Sequence, residues 1–160
     1  MLERLVSVHL GRFVECNGVL PTTQFAYWKC LGPCDALLCV SHTLQSALES
    51  GPEARIVQID FSAAFDRVNH QGILYRLCSV GIGGSVLSIL ALFLSNPSQN
   101  VMVDGCRSKL VDVVSGVSQG SVLGPLLFLL FTSELFSILE NKLIGYADDY
   151  FDGCCIIPRR

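Results

Sequence analysis

The spacing of apolar residues changes several times along the chain, and each change marks an element. Leu2, Leu5, Val6, Val8, Leu10 and Phe13 recur at a mixed spacing that favours a short helix ending before Asn17-Gly18. Pro21 to Cys34 reads as a loop, after which Asp35 is placed to cap a helix carrying Leu37, Leu38, Val40, Leu44, Ala47 and Leu48 at helical intervals, stopped by Gly51-Pro52. Ile56 to Phe61 alternates instead. This predicts a strand with Val57, Ile59 and Phe61 on one face and Gln58 and Asp60 on the other. Helices are predicted over about Ala64–Ser79 and Gly84–Ser95, the second ended by Asn96-Pro97. Val-rich segments at Gln99–Asp104 and Lys109–Ser115 suit a hairpin around Gly105, and Gly116 to Ser121 is a flexible polar junction. A long apolar helix over about Gly124–Leu139, whose Leu126–Phe131 belongs to the core, leads to a final strand running into Tyr146.

That order suits a mixed α/β or α+β domain with helices packed on one sheet face, leaving the other face free. Tyr146-Ala147-Asp148-Asp149 closes the series with two adjacent acids. Neighbouring side chains of a strand point to opposite faces, so both acids serve one site only if the chain turns there. Taken alone, the pair reads as a solvated hairpin turn, since Asp is a common turn former. Paired carboxylates repel, however, and are tolerated only with a cation, a proton or full hydration. If Asp60 ends one strand and Asp148 an adjacent one, then Asp60, Asp148 and Asp149 converge on the free face and make a metal site by composition.

Composition narrows the choice further. The 160 residues are 51% hydrophobic and 16% charged, with a mean hydropathy of +0.50, so either the core is large or much apolar surface expects a partner. The longest apolar runs, Val86–Leu94 and Val122–Phe131, fall short of the roughly 20 residues that span a bilayer, and no membrane role is expected. A net charge of -3 with 11 Lys and Arg argues against stand-alone nucleic-acid binding. The start of the chain lacks the apolar core of a secretion signal. Of the eight cysteines, Cys30, Cys34 and Cys39 with His42 come nearest to a zinc cluster, but their gaps match no common framework, and buried or incidental thiols are the expectation. His9, His42 and His70 read as surface or helix-side residues.

Three segments together carry a resemblance. Ile59-Asp60-Phe61-Ser62-Ala63-Ala64-Phe65-Asp66-Arg67-Val68, then Gly116-Val117-Ser118-Gln119-Gly120-Ser121-Val122-Leu123-Gly124-Pro125-Leu126-Leu127-Phe128, then Tyr146-Ala147-Asp148-Asp149 resemble successive motifs of the reverse transcriptases of non-LTR (LINE-type) retrotransposons. Each is only suggestive alone, whereas their order and distances are specific, and the resemblance covers about Asn17 to Asp149. It implies an α+β right-hand polymerase: a fingers-like segment over about 1–55, an antiparallel palm over about 56–149, a divergent tail over 150–160 and an absent thumb. It implies RNA-directed DNA polymerase activity, a nucleotidyltransferase (transferase) reaction extending a DNA primer on an RNA template with deoxynucleoside triphosphates. Two Mg²⁺ ions are the implied cofactors, with Mn²⁺ as a substitute. Asp60, Asp148 and Asp149 are the implied catalytic residues and metal ligands, joined by the Phe61 backbone carbonyl. Phe61, Phe65, Gln119 and Gly120 are the implied nucleotide-binding residues, with Phe65 as a steric gate against the ribose 2′-hydroxyl, and Tyr146 is implied to lie beside the primer end.

Departures from the family pattern temper this. Ser118 stands where the family usually has Pro, which loosens a turn without removing a functional group. Gln24-Phe25-Ala26-Tyr27-Trp28-Lys29-Cys30 resembles a fingers segment whose usual Arg, at the Trp28 position, helps hold the triphosphate; Trp28 offers no charge-assisted contact and Lys29 only a partial substitute. The expectation is a truncated polymerase fragment, weak or inactive alone, needing a thumb or a partner chain for tight nucleic-acid binding. The alternative is a catalytically inactive retrotransposon relic, or a nucleic-acid or protein interaction fragment. The family implies an intracellular setting, in nucleus or cytoplasm.

Overall fold

The computed structural model describes residues 2–51, 53–95, 98–139 and 143–156, the last four of these by backbone alone. Helix α1 (Leu2–Cys16) buries Val6, Leu10 and Val14, one residue per turn. Helix α2 spans Pro33–Ser50. Asp35 does not cap it as expected: Gly32 holds the cap position and Pro33 the first turn, while the Asp35 carboxylate reaches back to accept the Gly32 N–H at 2.8 Å. Strand β1 (Ala54–Asp60) follows.

The single helix expected over about Ala64–Ser79 is two pieces. A 3₁₀ turn at Phe65–Arg67 is followed by extended Val68 and by α3 (His70–Ser79). Asn69 causes the break, its side chain accepting the Gly72 N–H at 2.8 Å and so capping a new helix. Helix α4 (Gly84–Leu94) leads to the expected hairpin, which comes as two short ladders. The outer one pairs β2 (Ser98–Gln99) with β5 (Val111–Asp112), and the inner one pairs β3 (Met102–Val103) with β4 (Cys106–Arg107). Asp104 and Gly105 turn the inner ladder with φ of 49° and 79°, as a two-residue hairpin loop of this type requires.

Helix α5 (Gly124–Ile138) is apolar through its first half because Leu127 to Leu130 are all buried, whereas Glu134, Ser137 and Ile138 further along are exposed. Leu127, Leu129 and Leu130 join Val6, Leu10, Leu77 and Leu90 in the main core, each side chain contributing about 1.5–3 kcal/mol by leaving water. Its far end supplies Phe136 to a smaller cluster with Leu143 and Tyr150. Among the described residues no helix is long and apolar enough to cross a membrane.

Strands β6 (Ile144–Tyr146) and β7 (Asp149–Ile156) complete the fold. The antiparallel sheet has the order β1-β7-β6. Two expectations need correction here. Tyr150 to Ile156, read as part of a divergent tail, form the central strand. The strand carrying Asp60 is also not adjacent to the one leading into Tyr146, because β7 lies between them. β1 is an edge strand with an irregular register between Arg55 and Val57, so Val57 is 56% exposed although it shares a face with Ile59.

Candidate active site

The register of β7 decides which acids meet. Asp60 pairs with Asp149, and Asp149 with Tyr146, so one row across the sheet reads Asp60, Asp149, Tyr146. Directly opposed residues share a face with Cβ atoms about 4.5–5.5 Å apart. The next row, Ile59, Tyr150, Gly145, faces the other way. There Tyr150 is fully buried against Phe136, with ring centroids 5.8 Å apart, and Phe61 meets it edge-on at 5.5 Å. The sheet therefore puts the Asp60–Asp149 pair on one face and the buried Tyr150 ring on the other.

Asp148 is not in the row. It sits in the two-residue turn after Ala147, whose φ of 56° is in the left-handed region that L residues rarely adopt. Asp60 is exposed, and Asp148 and Asp149 are half-buried. Among the described residues none of the three makes an ion pair, and no group of three His, Cys, Asp or Glu side chains stands close enough to hold a metal ion. The expected three-carboxylate cluster is thus a facing pair with a third acid beside it, and the Cys30, Cys34, Cys39 and His42 set makes no cluster either.

The charge of Asp148 is felt by two phenols. Burial raises Tyr150 to about 12, against a lowering by the Thr132 hydroxyl, and Asp148 adds to the rise. Among the described residues the Tyr150 hydroxyl has no partner at hydrogen-bond geometry, and the nearby Thr132 hydroxyl donates instead to the carbonyl of Phe128 at 3.1 Å. Tyr27 is pushed up by partial burial, then by Asp148 and Tyr146. Tyr27 belongs to a segment that reaches the turn from far along the chain. Phe25 N–H donates to Gly145 O and Gly145 N–H to Thr23 O, both at 2.9 Å, and Gln24 is 2% exposed beneath them. Sequence reasoning gave Gln24 and Tyr27 no role of their own.

The chain matches the family model described as reverse transcriptase (RNA-dependent DNA polymerase) over residues 4–155. The chain belongs to the reverse transcriptase family. It is 33% identical over 148 residues to the RNA-directed DNA polymerase from mobile element jockey of Drosophila funebris, covering 92% of this chain and 16% of that protein. The counterpart in Drosophila melanogaster is also 33% identical, over 93% of this chain and 17% of the relative. A probable RNA-directed DNA polymerase from transposon X-element of Drosophila melanogaster is 28% identical, over 93% and 17%. The chain thus spans about a sixth of the length of these relatives, all named for mobile elements, in keeping with the retrotransposon reading of the motifs.

The remaining residues singled out by the reverse transcriptase motifs sit around one junction. Phe65 is half-buried and stacked on Phe128, centroids 4.3 Å apart. Its carbonyl accepts the Val117 N–H at 2.9 Å, while Gly116 N–H donates to Val68 O at 2.8 Å. His70 contributes to the same junction, its Nε2 donating to Gly116 O at 2.7 Å, so it is more than a surface residue. Gln119 and Gly120 then lie exposed in a turn closed by Ser121 N–H to Ser118 O at 3.0 Å, with Gly120 at φ +84°. Glu3 of α1 accepts the N–H groups of Val122 and Leu123 just beyond, at 2.6 and 3.0 Å. Trp28 is half-buried against the main core, and Lys29 is exposed. Both border a cleft of about 380 Å³ with Arg12 and Tyr27.

Proposed function

We propose that this chain carries the polymerase centre of an RNA-directed DNA polymerase of a retrotransposon, with the sheet as palm and the α1–α2 region as fingers. The observation that supports this best is the direct pairing of Asp60 with Asp149, beside the turn that holds Asp148. Like charges placed opposite each other across a sheet are destabilising unless something neutralises them. The donors are all oxygen, which suits a hard cation. Mg²⁺ typically takes one or two carboxylates and fills its shell with substrate phosphate and water, so a facing pair with a nearby third acid is a sufficient inventory. Bound at this site, two such ions would activate the primer 3′-hydroxyl and neutralise the triphosphate and the departing pyrophosphate.

The protein's own part is to hold and exclude. Asp60, Asp149 and Asp148 supply the negative charge, with the Phe61 carbonyl as a further oxygen. Phe65, braced by Phe128, stands against the ribose 2′-hydroxyl. Gln119 and Gly120 border the incoming nucleotide, where glycine permits close approach and the amide both donates and accepts. Tyr146, in line with the two acids, lies beside the primer end. The partners are an RNA template, a DNA primer and deoxynucleoside triphosphates.

One observation favours a second reading, a relic that binds without catalysing. Trp28, at the position where the resemblance calls for a triphosphate-binding Arg, is packed on the core and contributes no charge. Primer extension on a poly(rA) template with an oligo(dT) primer, Mg²⁺ and dTTP separates the two. Extension by the parent chain and none by Asp148→Ala supports the polymerase. Equal extension by both, or none by either, overturns it, and nucleic-acid retention by the inactive chain would then support the relic.

A further inference from the structure

The turn that carries Asp148 is held from outside its own hairpin. Gln24 lies in the loop between α1 and α2, yet its side chain is buried beneath the turn. Gln24 Oε1 accepts the Ala147 N–H at 3.2 Å and the Ala26 N–H at 3.1 Å, and Nε2 makes a long donor contact with Ala147 O at 3.5 Å. Both backbone polar groups of one residue of the turn, and one N–H of the loop, thus converge on a single amide. A carboxamide offers a donor and an acceptor side by side on one planar group.

Two further features show that the fit is built. Gly145 lies so close that a Cβ there would stand 2.8 Å from Gln24 Nε2, so only glycine admits the amide. Ala147 occupies the left-handed region, a conformation an L residue leaves unless its surroundings hold it. From these contacts we infer that Gln24 is a positioning residue: it fixes the Ala147 backbone, and through it aims the Asp148 carboxylate toward the Asp60–Asp149 pair. The inference rests on the polymerase reading for its catalytic consequence, but the tether itself is independent of that reading. Touching neither substrate nor metal ligand, Gln24 acts on the rate of chemistry and leaves nucleotide affinity alone.

The test uses the full chain with Gln24→Met, which keeps the volume and removes both polar contacts, and the same variant with Ala147→Gly added. Amide exchange is followed residue by residue, and primer extension gives kcat and the KM for dTTP. A lost net hydrogen bond corresponds to about a tenfold effect. The expected result is that Ala147 N–H exchanges about tenfold faster in Gln24→Met while Ile144 and Leu77 keep their protection. In the same variant kcat falls about tenfold at unchanged KM, and Ala147→Gly, which adopts the left-handed turn unaided, recovers much of it. If Gln24→Met does not fold, Gln24→Glu retains the acceptor oxygen, and Ala147 is expected to stay protected in it. Exchange at Ala147 unchanged in Gln24→Met, raised equally at Leu77, or fast in Gln24→Glu overturns the tether. A kcat that stays level or falls together with KM overturns the positioning of Asp148 by Gln24. If the parent chain extends no primer, or Asp148→Ala still does, the polymerase reading fails instead, and the exchange at Ala147 decides for the tether by itself.

Discussion

Replacing Gly116 by alanine tests how the junction between the Phe65 turn and the Gly116–Val117 segment is joined. Gly116 has φ +91°, and a Cβ built on it meets the Cα and carbonyl oxygen of Asp66 at 2.8 Å each. These are backbone atoms, pinned by Ser115 Oγ donating to Asp66 O at 2.9 Å and by Gly116 N–H donating to Val68 O, so neither side gives way cheaply. The left-handed backbone costs alanine about 1–2 kcal/mol, overpacking adds about 1–3 kcal/mol, and the stiffer unfolded chain returns about 0.4–1 kcal/mol. The net loss is about 2–4 kcal/mol, or roughly 5–15 °C in Tm for a domain of this size. Gly18→Ala is the control. Its φ is +59° but a Cβ there meets nothing within 4 Å, so only the conformational part, about 1 kcal/mol, is expected. Urea unfolding followed by circular dichroism measures both. If the two variants lose the same stability within about 0.5 kcal/mol, the close packing of Gly116 on Asp66 is refuted.

Gly145→Ala places a Cβ 2.8 Å from Gln24 Nε2 and 2.9 Å from Phe136 Cζ; a loss of about 1–3 kcal/mol in urea unfolding is expected, and an unchanged midpoint would count against the close fit there. Tyr150 is raised to about 12 while an unfolded tyrosine ionises near 10, so the native state keeps a proton that the unfolded state gives up. Its contribution is complete below pH 10 and is lost as the pH rises toward 12, by roughly 2–3 kcal/mol across that window. Tyr150→Phe is expected to be neutral or slightly stabilising at pH 8, since it deletes a hydroxyl without a hydrogen-bond partner among the described residues, and to flatten the alkaline decline; an equally steep decline in the variant refutes the assignment. Phe65→Ala, by removing the ring braced on Phe128, is expected to raise incorporation of rUTP relative to dTTP in primer extension by about tenfold or more, and an unchanged ratio would remove Phe65 from the gate.

Much of the fold was legible where a local period carried it. Helices α2, α4 and α5 and the hairpin at Asp104-Gly105 follow from spacing and turn chemistry. The break before α3 was also readable, since Asn69 is a capping residue, but the apolar residues on either side suggested one continuous helix. Strand β7 was hidden because Tyr150-Phe151-Asp152-Gly153-Cys154-Cys155 neither alternates nor lacks glycine, and only two neighbouring strands make it a strand. Without β7 in view, the strand carrying Asp60 was placed directly beside the one leading into Tyr146. The acids themselves were legible as chemistry, whereas Gln24 and His70 were not, because each acts on a backbone group far along the chain that no local pattern announces.

The late position of β7 has a consequence for how the molecule comes into being. Asp60 and its partner are separated by about ninety residues, and the strand that joins them follows all the other described elements along the chain, so the acidic row cannot form until every one of them has been synthesised. Until then β1 and β6 both present unpaired backbone, and the aromatic face meant for Tyr150 lies open. A nascent chain emerging residue by residue therefore passes through a stage with its helices packable and its sheet sticky, the stage at which chaperones and aggregation compete for it.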